Sequence, residues 1–261
     1  MYSKLVAALM VGGILGGFVL VGQEARADRR IFAYSYPYMT LPEGAMEMEH
    51  YLDAGWAAVD DPSTTDIEDD LVVSWKHQVE FEYAITDRLD FGFYNVFKQA
   101  AFGSMKYDGL KLRSRYRIGD PGQFVVDPAL YFEVAYTGKD AKLEQILIFA
   151  RQFGKVECAL NLKFEEKIGD VGGANDFVFE FIPSVGVGYH INNNVAIGLE
   201  YLAKTEYPEG GEFEFENHYA GPTISVMGKR FWWTVAVQPS LKFDRDEGAV
   251  YQARSIFAVV F

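Results

Sequence analysis

Apolar and polar residues alternate along most of the chain in long, regular segments. The clearest segment is Leu71–Ile85, in which Trp75 and Phe81 alternate with Lys76 and Glu80. Successive side chains of a strand point to opposite faces, so each segment predicts a strand with one apolar and one polar face. Twelve segments show this pattern: Ala45–Ala57, Leu71–Ile85, Leu89–Phe97, Leu110–Ile118, Phe124–Tyr136, Leu143–Phe153, Val156–Glu165, Phe177–Tyr189, Val195–Lys204, Phe213–Met227, Phe231–Leu241 and Val250–Phe261.

Two of the segments do not reveal which face is apolar. Leu143–Phe153 is poorly phased, and Phe213–Met227 contains Pro222. Their faces are left unassigned.

The connections between the segments alternate between short and long. The short ones are 86–88, 119–123, 154–155, 190–194 and 228–230, and the long ones are 58–70, 98–109, 137–142, 166–176, 205–212 and 242–249. An even number of strands with short turns at one end and longer loops at the other is typical of membrane barrels. The pattern therefore predicts an all-β fold, a twelve-stranded antiparallel up-and-down transmembrane β-barrel with both termini on the periplasmic side.

Three features favour lipid over water around this barrel. The segments are long enough to cross a membrane at a tilt, which takes about 9–11 residues. Their polar faces carry charged residues of both signs at mid-strand, which a membrane barrel turns towards its lumen. Aromatic residues such as Trp56, Tyr136 and Tyr189 lie near strand ends on the apolar face, where interfacial girdles form. In hydrocarbon every unpaired backbone group is costly, so the sheet must close.

The two ends of the chain indicate where it is sent. Lys4, an apolar stretch from Leu5 to Val21 and the box Ala25-Arg26-Ala27 predict a cleaved signal peptide over residues 1–27, rather than a transmembrane helix. The last strand ends on Phe261. It resembles the closing strand of bacterial outer-membrane barrels, and the resemblance implies recognition by the barrel-assembly machinery. The alternative is an ordinary buried strand.

Residues 28–44, between the signal peptide and the barrel, form an aromatic segment that Pro37 and Pro42 interrupt. We interpret it as a periplasmic lead-in segment at the mouth of the barrel, with folding into the lumen or an extra strand as alternatives. The barrel domain then covers residues 45–261.

Composition excludes several classes of function. The formal net charge of −13 argues against a nucleic-acid partner. The single cysteine, Cys158, excludes an internal disulfide framework and a thiolate metal site. No cofactor is predicted, and the expected surroundings are outer-membrane lipid and lipopolysaccharide.

The polar faces of the first strands supply the candidate lumen residues. Glu47, Glu49, Glu80 and Glu82 are predicted at similar depth, where such carboxylates need a cation or a basic partner. Lys111, Arg113, Arg115 and Arg117 form a basic column on the fourth strand, and Asp127 and Glu133 lie on the fifth. One interpretation is a narrow pore with an acidic wall, a basic wall and a transverse field between them. The other is a salt-bridged ladder that fills the barrel.

Acidic residues are also concentrated in two predicted outer loops, 58–70 and 206–216. Asp66, Glu68, Asp69 and Asp70 are weak candidates for binding a divalent cation. Plain solvation of exposed loops is the alternative. Loops of this kind also admit an occluded structural or adhesive barrel.

An outer-membrane hydrolase is the enzyme alternative. It would need a nucleophile and a base within reach of each other. His50 and His77 fall on the apolar face of neighbouring strands and could approach each other, but no histidine stands in a G-x-S-x-G or H-E-x-x-H context. The sequence therefore predicts that the protein is not an enzyme.

Four short stretches resemble bacterial outer-membrane barrels described as transporters of the phenol-degradation MetA-pathway type. They are Thr40–Glu49, Tyr83–Gly92, Gly109–Tyr116 and Ala220–Thr223. The resemblance implies an outer-membrane transport role. Together with the lumen residues, it leads us to expect a narrow passive channel for small solutes.

Overall fold

The computed structural model describes residues 29–60, 69–138, 140–171, 174–208, 214–241 and 250–261. The predicted signal peptide therefore lies outside the described residues. The strands are β1 (Met46–Asp60), β2 (Asp69–Thr86), β3 (Leu89–Gln99), β4 (Lys106–Arg117), β5 (Asp127–Thr137), β6 (Asp140–Phe153), β7 (Val156–Val171), β8 (Ala174–His190), β9 (Val195–Pro208), β10 (Glu214–Met227), β11 (Phe231–Pro239) and β12 (Tyr251–Val260). No helix with the length and apolar character of a membrane span occurs in the described part of the chain.

The strands form one closed antiparallel barrel. Each pairs with its neighbours in sequence, and β1 pairs with β12 from Glu47 opposite Val260 to Trp56 opposite Tyr251. Closure gives every described strand a backbone partner on each side, which is what a sheet in hydrocarbon requires. The predicted fold class is confirmed. We call the end where β1 begins and β12 finishes the near rim, and the opposite end the far rim.

The barrel is apolar outside and charged inside. On β2, Phe81 is 41% exposed, whereas its neighbour Glu80 is fully buried. A water-soluble protein buries its apolar side chains, so this inverted arrangement is that of a barrel surrounded by lipid. The barrel therefore spans a membrane.

Two connections predicted to be long are short because the strands run further than the alternation showed. β5 ends at Thr137 and β6 begins at Asp140, and β7 reaches Val171 before β8 starts at Ala174. In the other direction, β5 begins only at Asp127, so the connection 118–126 at the near rim is longer than predicted.

Of the two strands whose faces the sequence left unassigned, β6 points Ile146 and Ile148 into the barrel. These isoleucines pack in an interior cluster with Ile31 and Phe32 of the N-terminal segment. An inward apolar surface breaks the simple rule of apolar outside and polar inside, which is why the sequence of β6 looked poorly phased. In β10, Pro222 lies on the outer face and a bulge separates Phe215 from Asn217.

The N-terminal segment, residues 29–44, enters the barrel at the near rim. Ile31, Phe32 and Ala33 are almost completely buried inside it. Glycines of β8 make room for them, since a Cβ added at Gly186 would lie 2.7 Å from the Phe32 ring and one at Gly188 would overlap Ile31. The wall is therefore shaped to accept this segment.

Candidate functional site

The centre of the near half of the lumen is a cluster of arginines and carboxylates. Arg113 Nε donates to Glu80 Oε1 at 2.7 Å, and the same guanidinium also pairs with Glu82 and Asp90. Arg115 pairs with Glu82 at 3.1 Å and with Asp90 at 3.0 Å. All five side chains are buried. We call this group the arginine cluster.

A glycine lets the arginine cluster form across a strand. Gly92 of β3 stands in register between Glu82 of β2 and Arg113 of β4. A Cβ at this position would lie 2.6 Å from Arg113 Nε. The arginine therefore reaches over β3 to β2, and a glycine inside a strand is a recognisable sign of such a close approach.

The remaining predicted lumen residues also face the interior. Glu47 accepts a hydrogen bond from Trp232 Nε1 at 2.9 Å, and Lys111 pairs with Glu133 at 2.8 Å. Arg117 and Asp127 lie apart from the cluster, at the near rim. Arg117 donates to the Asp87 carbonyl at 2.9 Å. Asp127 pairs with Arg151 at 3.2 Å.

The basic partner of Glu49 comes from outside the predicted set. Arg30, in the N-terminal segment, lies 3.6 Å from the Glu49 carboxylate and donates to the Tyr51 hydroxyl at 2.7 Å. Its guanidinium also sits 4.2 Å from the centre of the Tyr36 ring. The carboxylates of Glu49, Glu80 and Glu82 come within 4.8 Å of one another, the spacing of a metal site, but arginines occupy the space beside them.

Glu200 on β9 holds the N-terminal segment by its backbone. Its carboxylate accepts hydrogen bonds from the N–H groups of Ala33 at 2.8 Å, Tyr34 at 2.9 Å and Ser35 at 2.9 Å. Asn161 of β7 binds the N–H and the carbonyl of Tyr36 at 2.5 and 3.1 Å. The segment forms no strand, and polar side chains of the wall hold its backbone. It is therefore docked in the lumen and is not part of the sheet.

The other wall binds the carbonyl groups of the same segment. Thr223 donates to the Ile31 carbonyl at 3.0 Å, Ser225 donates to the Arg30 carbonyl at 3.0 Å, and Thr234 donates to that same carbonyl. Burial raises the pKa of Tyr34 above its ordinary value.

A row of glutamates crosses the far half of the lumen. Its members stand opposite one another in register on successive strands: Glu133, Glu144, Glu165, Glu180 and Glu206. Lysines on the same strands neutralise them; for example, Lys163 lies 3.1 Å from Glu144 and Lys142 lies 3.1 Å from Glu165. Sequence reasoning found only Glu133, because the row exists only once the register of five strands is known.

Between the N-terminal segment and the far rim lies a cavity of about 300 Å³. We call it the lysine cavity, after its cationic lining: Lys76, Lys98, Lys111, Lys142, Lys163, Lys204 and Arg254. Glu133, Glu144 and Glu165 are the carboxylates of the lining. Tyr34 of the N-terminal segment forms part of the lining, and Arg254 stacks 4.6 Å above its ring.

Of the weak metal candidates, Asp66 and Glu68 lie outside the described residues, and Asp69 and Asp70 begin β2. His50 and His77 approach each other as predicted, with 3.2 Å between His50 Nε2 and His77 Nδ1. Within the described residues, neither ring hydrogen-bonds a serine, threonine or cysteine.

Comparisons with known proteins agree with this architecture. The fold is similar to that of the COG4313 outer membrane channel from Pseudomonas putida F1, with a TM-score of 0.64 and 12% identity over 86% of this chain and 98% of that chain. It is also similar to the NanC porin, with a TM-score of 0.52 and 8% identity over 81% of this chain and 98% of that chain. The fold is thus that of an outer-membrane β-barrel.

The sequence comparisons match a smaller part of the chain than the structural comparisons. A family model described as "Family of unknown function (DUF6662)" matches residues 176–255. No curated protein sequence matches the chain. The narrower resemblance to the phenol-degradation MetA-pathway type stays a prediction.

Proposed function

We propose that the protein is a narrow passive channel for small solutes in the outer membrane. The observation that carries the proposal is a polar cavity of about 300 Å³ inside a barrel whose outside is apolar. Charged groups inside a lipid-surrounded barrel serve hydrated or charged solutes, whereas a purely structural barrel of this size could fill with apolar side chains. No catalytic residue is part of the proposal.

The N-terminal segment and the arginine cluster form the constriction. They occupy the near half of the lumen, which in this proposal faces the periplasm because both ends of the barrel sheet lie at the near rim. Current through the resting channel is therefore small, and larger openings need the segment to leave its dock on Glu200. In this proposal Lys111, Arg113, Arg115, Glu80, Glu82 and Glu133 set the electrostatics of the path.

Ion current across planar lipid bilayers tests the proposal. We expect small, infrequent openings from the purified full chain and larger, lasting ones from a variant that lacks residues 29–38. Refolding is checked by the far-ultraviolet circular dichroism of the sheet. Absence of current from the full chain, from the deletion variant and from Arg113→Ala would overturn the channel.

One observation favours a second candidate, an occluded structural or adhesive barrel. Ile31, Phe32 and Ala33 are almost completely buried in an apolar cluster inside the barrel. Such a barrel predicts no current from the full chain and none after the deletion. Contacts with outer-membrane lipid, lipopolysaccharide and the barrel-assembly machinery belong equally to both candidates.

A further inference from the structure

We infer that the lysine cavity is a binding site for a small monocarboxylate anion, with Lys76 as its principal contact. The inference rests on the proposed function, because it names the class of solute that the channel takes. Four observations carry it: an unpaired cation, its cationic neighbours, the volume of the cavity and the balance of charge.

Lys76 is the cation of the cavity that lacks a partner among the described residues. The other six pair with carboxylates: Lys98 with Asp108, Lys111 with Glu133, Lys142 with Glu165, Lys163 with Glu144, Lys204 with Glu180 and Glu206, and Arg254 with Asp53. One carboxylate, that of Asp53 on β1, stands directly opposite Lys76. Its two oxygens are taken by Arg254 at 2.5 Å and by Gln78 at 3.4 Å.

The neighbours of Lys76 make an anion favourable there. Lys98 stands directly opposite Lys76 on the adjoining strand, and like charges in that position repel. Lys76 also lies within the electrostatic reach of Lys111, Arg254 and Lys142, against the single attractive carboxylate of Asp53. A bound anion would relieve this repulsion and supply the missing ion pair.

Size and charge narrow the class of ligand. A cavity of about 300 Å³ is at the lower end of the range for small-molecule sites. One unpaired cation matches the single charge of a carboxylate better than the charge of about −1.5 to −2 on a phosphate monoester. Tyr34 and Tyr51 add ring surface and hydroxyl groups to the lining, where an uncharged body can rest.

Direct binding tests the site without requiring conduction. The full-length protein in detergent micelles is titrated with ¹³C-labelled butyrate and followed by NMR, with butyramide as the uncharged ligand of the same shape. We expect saturable binding of butyrate and none of butyramide. Lys76→Gln should weaken butyrate roughly tenfold, the factor that corresponds to one charge-assisted hydrogen bond, and Lys76→Arg should preserve it.

Lys106→Gln is the matched control. Lys106 stands in register with Lys98 but is exposed and does not line the cavity, so the same charge change should leave binding unaltered. Equal affinity in Lys76→Gln, equal loss in Lys106→Gln, or tighter binding of inorganic phosphate than of butyrate would each overturn the inference. Butyrate binding without any ion current would remove the channel but keep the site, whereas current without butyrate binding would remove the site alone.

Discussion

The docking of the N-terminal segment on Glu200 gives the sharpest prediction. Glu200→Gln removes the charge that three backbone N–H groups share and turns one acceptor oxygen into a donor that faces them. A hydrogen bond to a charged group is worth about 1.5–3 kcal/mol, and bonds that share one acceptor are not additive. We expect the docked state to lose about 3 kcal/mol, which shifts its equilibrium roughly 100-fold towards release.

The assay is single-channel recording of the fraction of time that the pore is open. Glu200→Gln should raise this fraction strongly. The conductance of each opening should equal that of the variant that lacks residues 29–38. Glu43→Gln is the control, because it makes the same charge change on the exposed end of the same segment. An open fraction within about twofold of the unmodified protein, well short of the shift expected from 3 kcal/mol, would refute the role of Glu200.

A covalent lock tests the same reasoning in the opposite direction. The hydroxyl oxygens of Ser35, in the segment, and Ser184, on β8, are 3.1 Å apart. Cysteines at both positions, with Cys158→Ser to remove the native thiol, should form a disulfide that holds the segment in place. Oxidised protein should stay closed even with Glu200→Gln, and a reductant should restore opening.

Three further predictions follow from the packing. Gly186→Ala brings a methyl group against Phe32 and should raise the open fraction, as the Glu200 variant does, in the same recordings. Arg113→Ala leaves Glu80, Glu82 and Asp90 with only Arg115 among them and should lower the free energy of unfolding by about 3–5 kcal/mol, measured by denaturant titration in lipid vesicles. Leu199→Arg places a charge on the lipid-facing surface of β9 and should cost up to about 4 kcal/mol in the same titration.

The fold could be predicted from the sequence because apolar and polar residues alternate with a period of two. This alternation has one physical cause, since one face of each strand contacts lipid and the other faces the lumen. In β2 every second residue from Trp75 to Tyr83 faces lipid, and the charged residues between them face the lumen. Parity alone therefore placed Glu80, Glu82 and Arg113 inside. Strand ends were less accessible, since the hairpin of β7 and β8 continues past Glu165 with weaker alternation.

The pairing inside the lumen was not accessible in the same way. The alternating pattern shows which face of the sheet a residue lies on. Only the register and the stagger of the strands determine which residue lies opposite it. Arg113 meets Glu82 across Gly92, and Glu144 meets Glu165, through alignments that no local pattern encodes. Arg30 was missed because a segment without regular structure gives no periodic signal.

These pairings change the electrostatic picture of the lumen. The acidic and basic walls predicted from the sequence are joined by Arg113, which contacts the carboxylates of β2 directly, so little field is left across the near half. The imbalance that survives runs along the axis. Towards the near rim, carboxylates outnumber arginines in the arginine cluster, with Glu80, Glu82 and Asp90 beside Arg113 and Arg115.

Towards the far rim the lining has the opposite excess, because seven lysine and arginine side chains but only three glutamates line the lysine cavity. In the proposed channel, an anion that enters from the far rim would therefore meet an attractive cavity first and a repulsive constriction second. Such an order favours binding before passage, and it makes the position of the N-terminal segment decisive. The segment supplies Arg30 to the acidic side and Tyr34 to the lysine cavity, so its release would alter both regions at once.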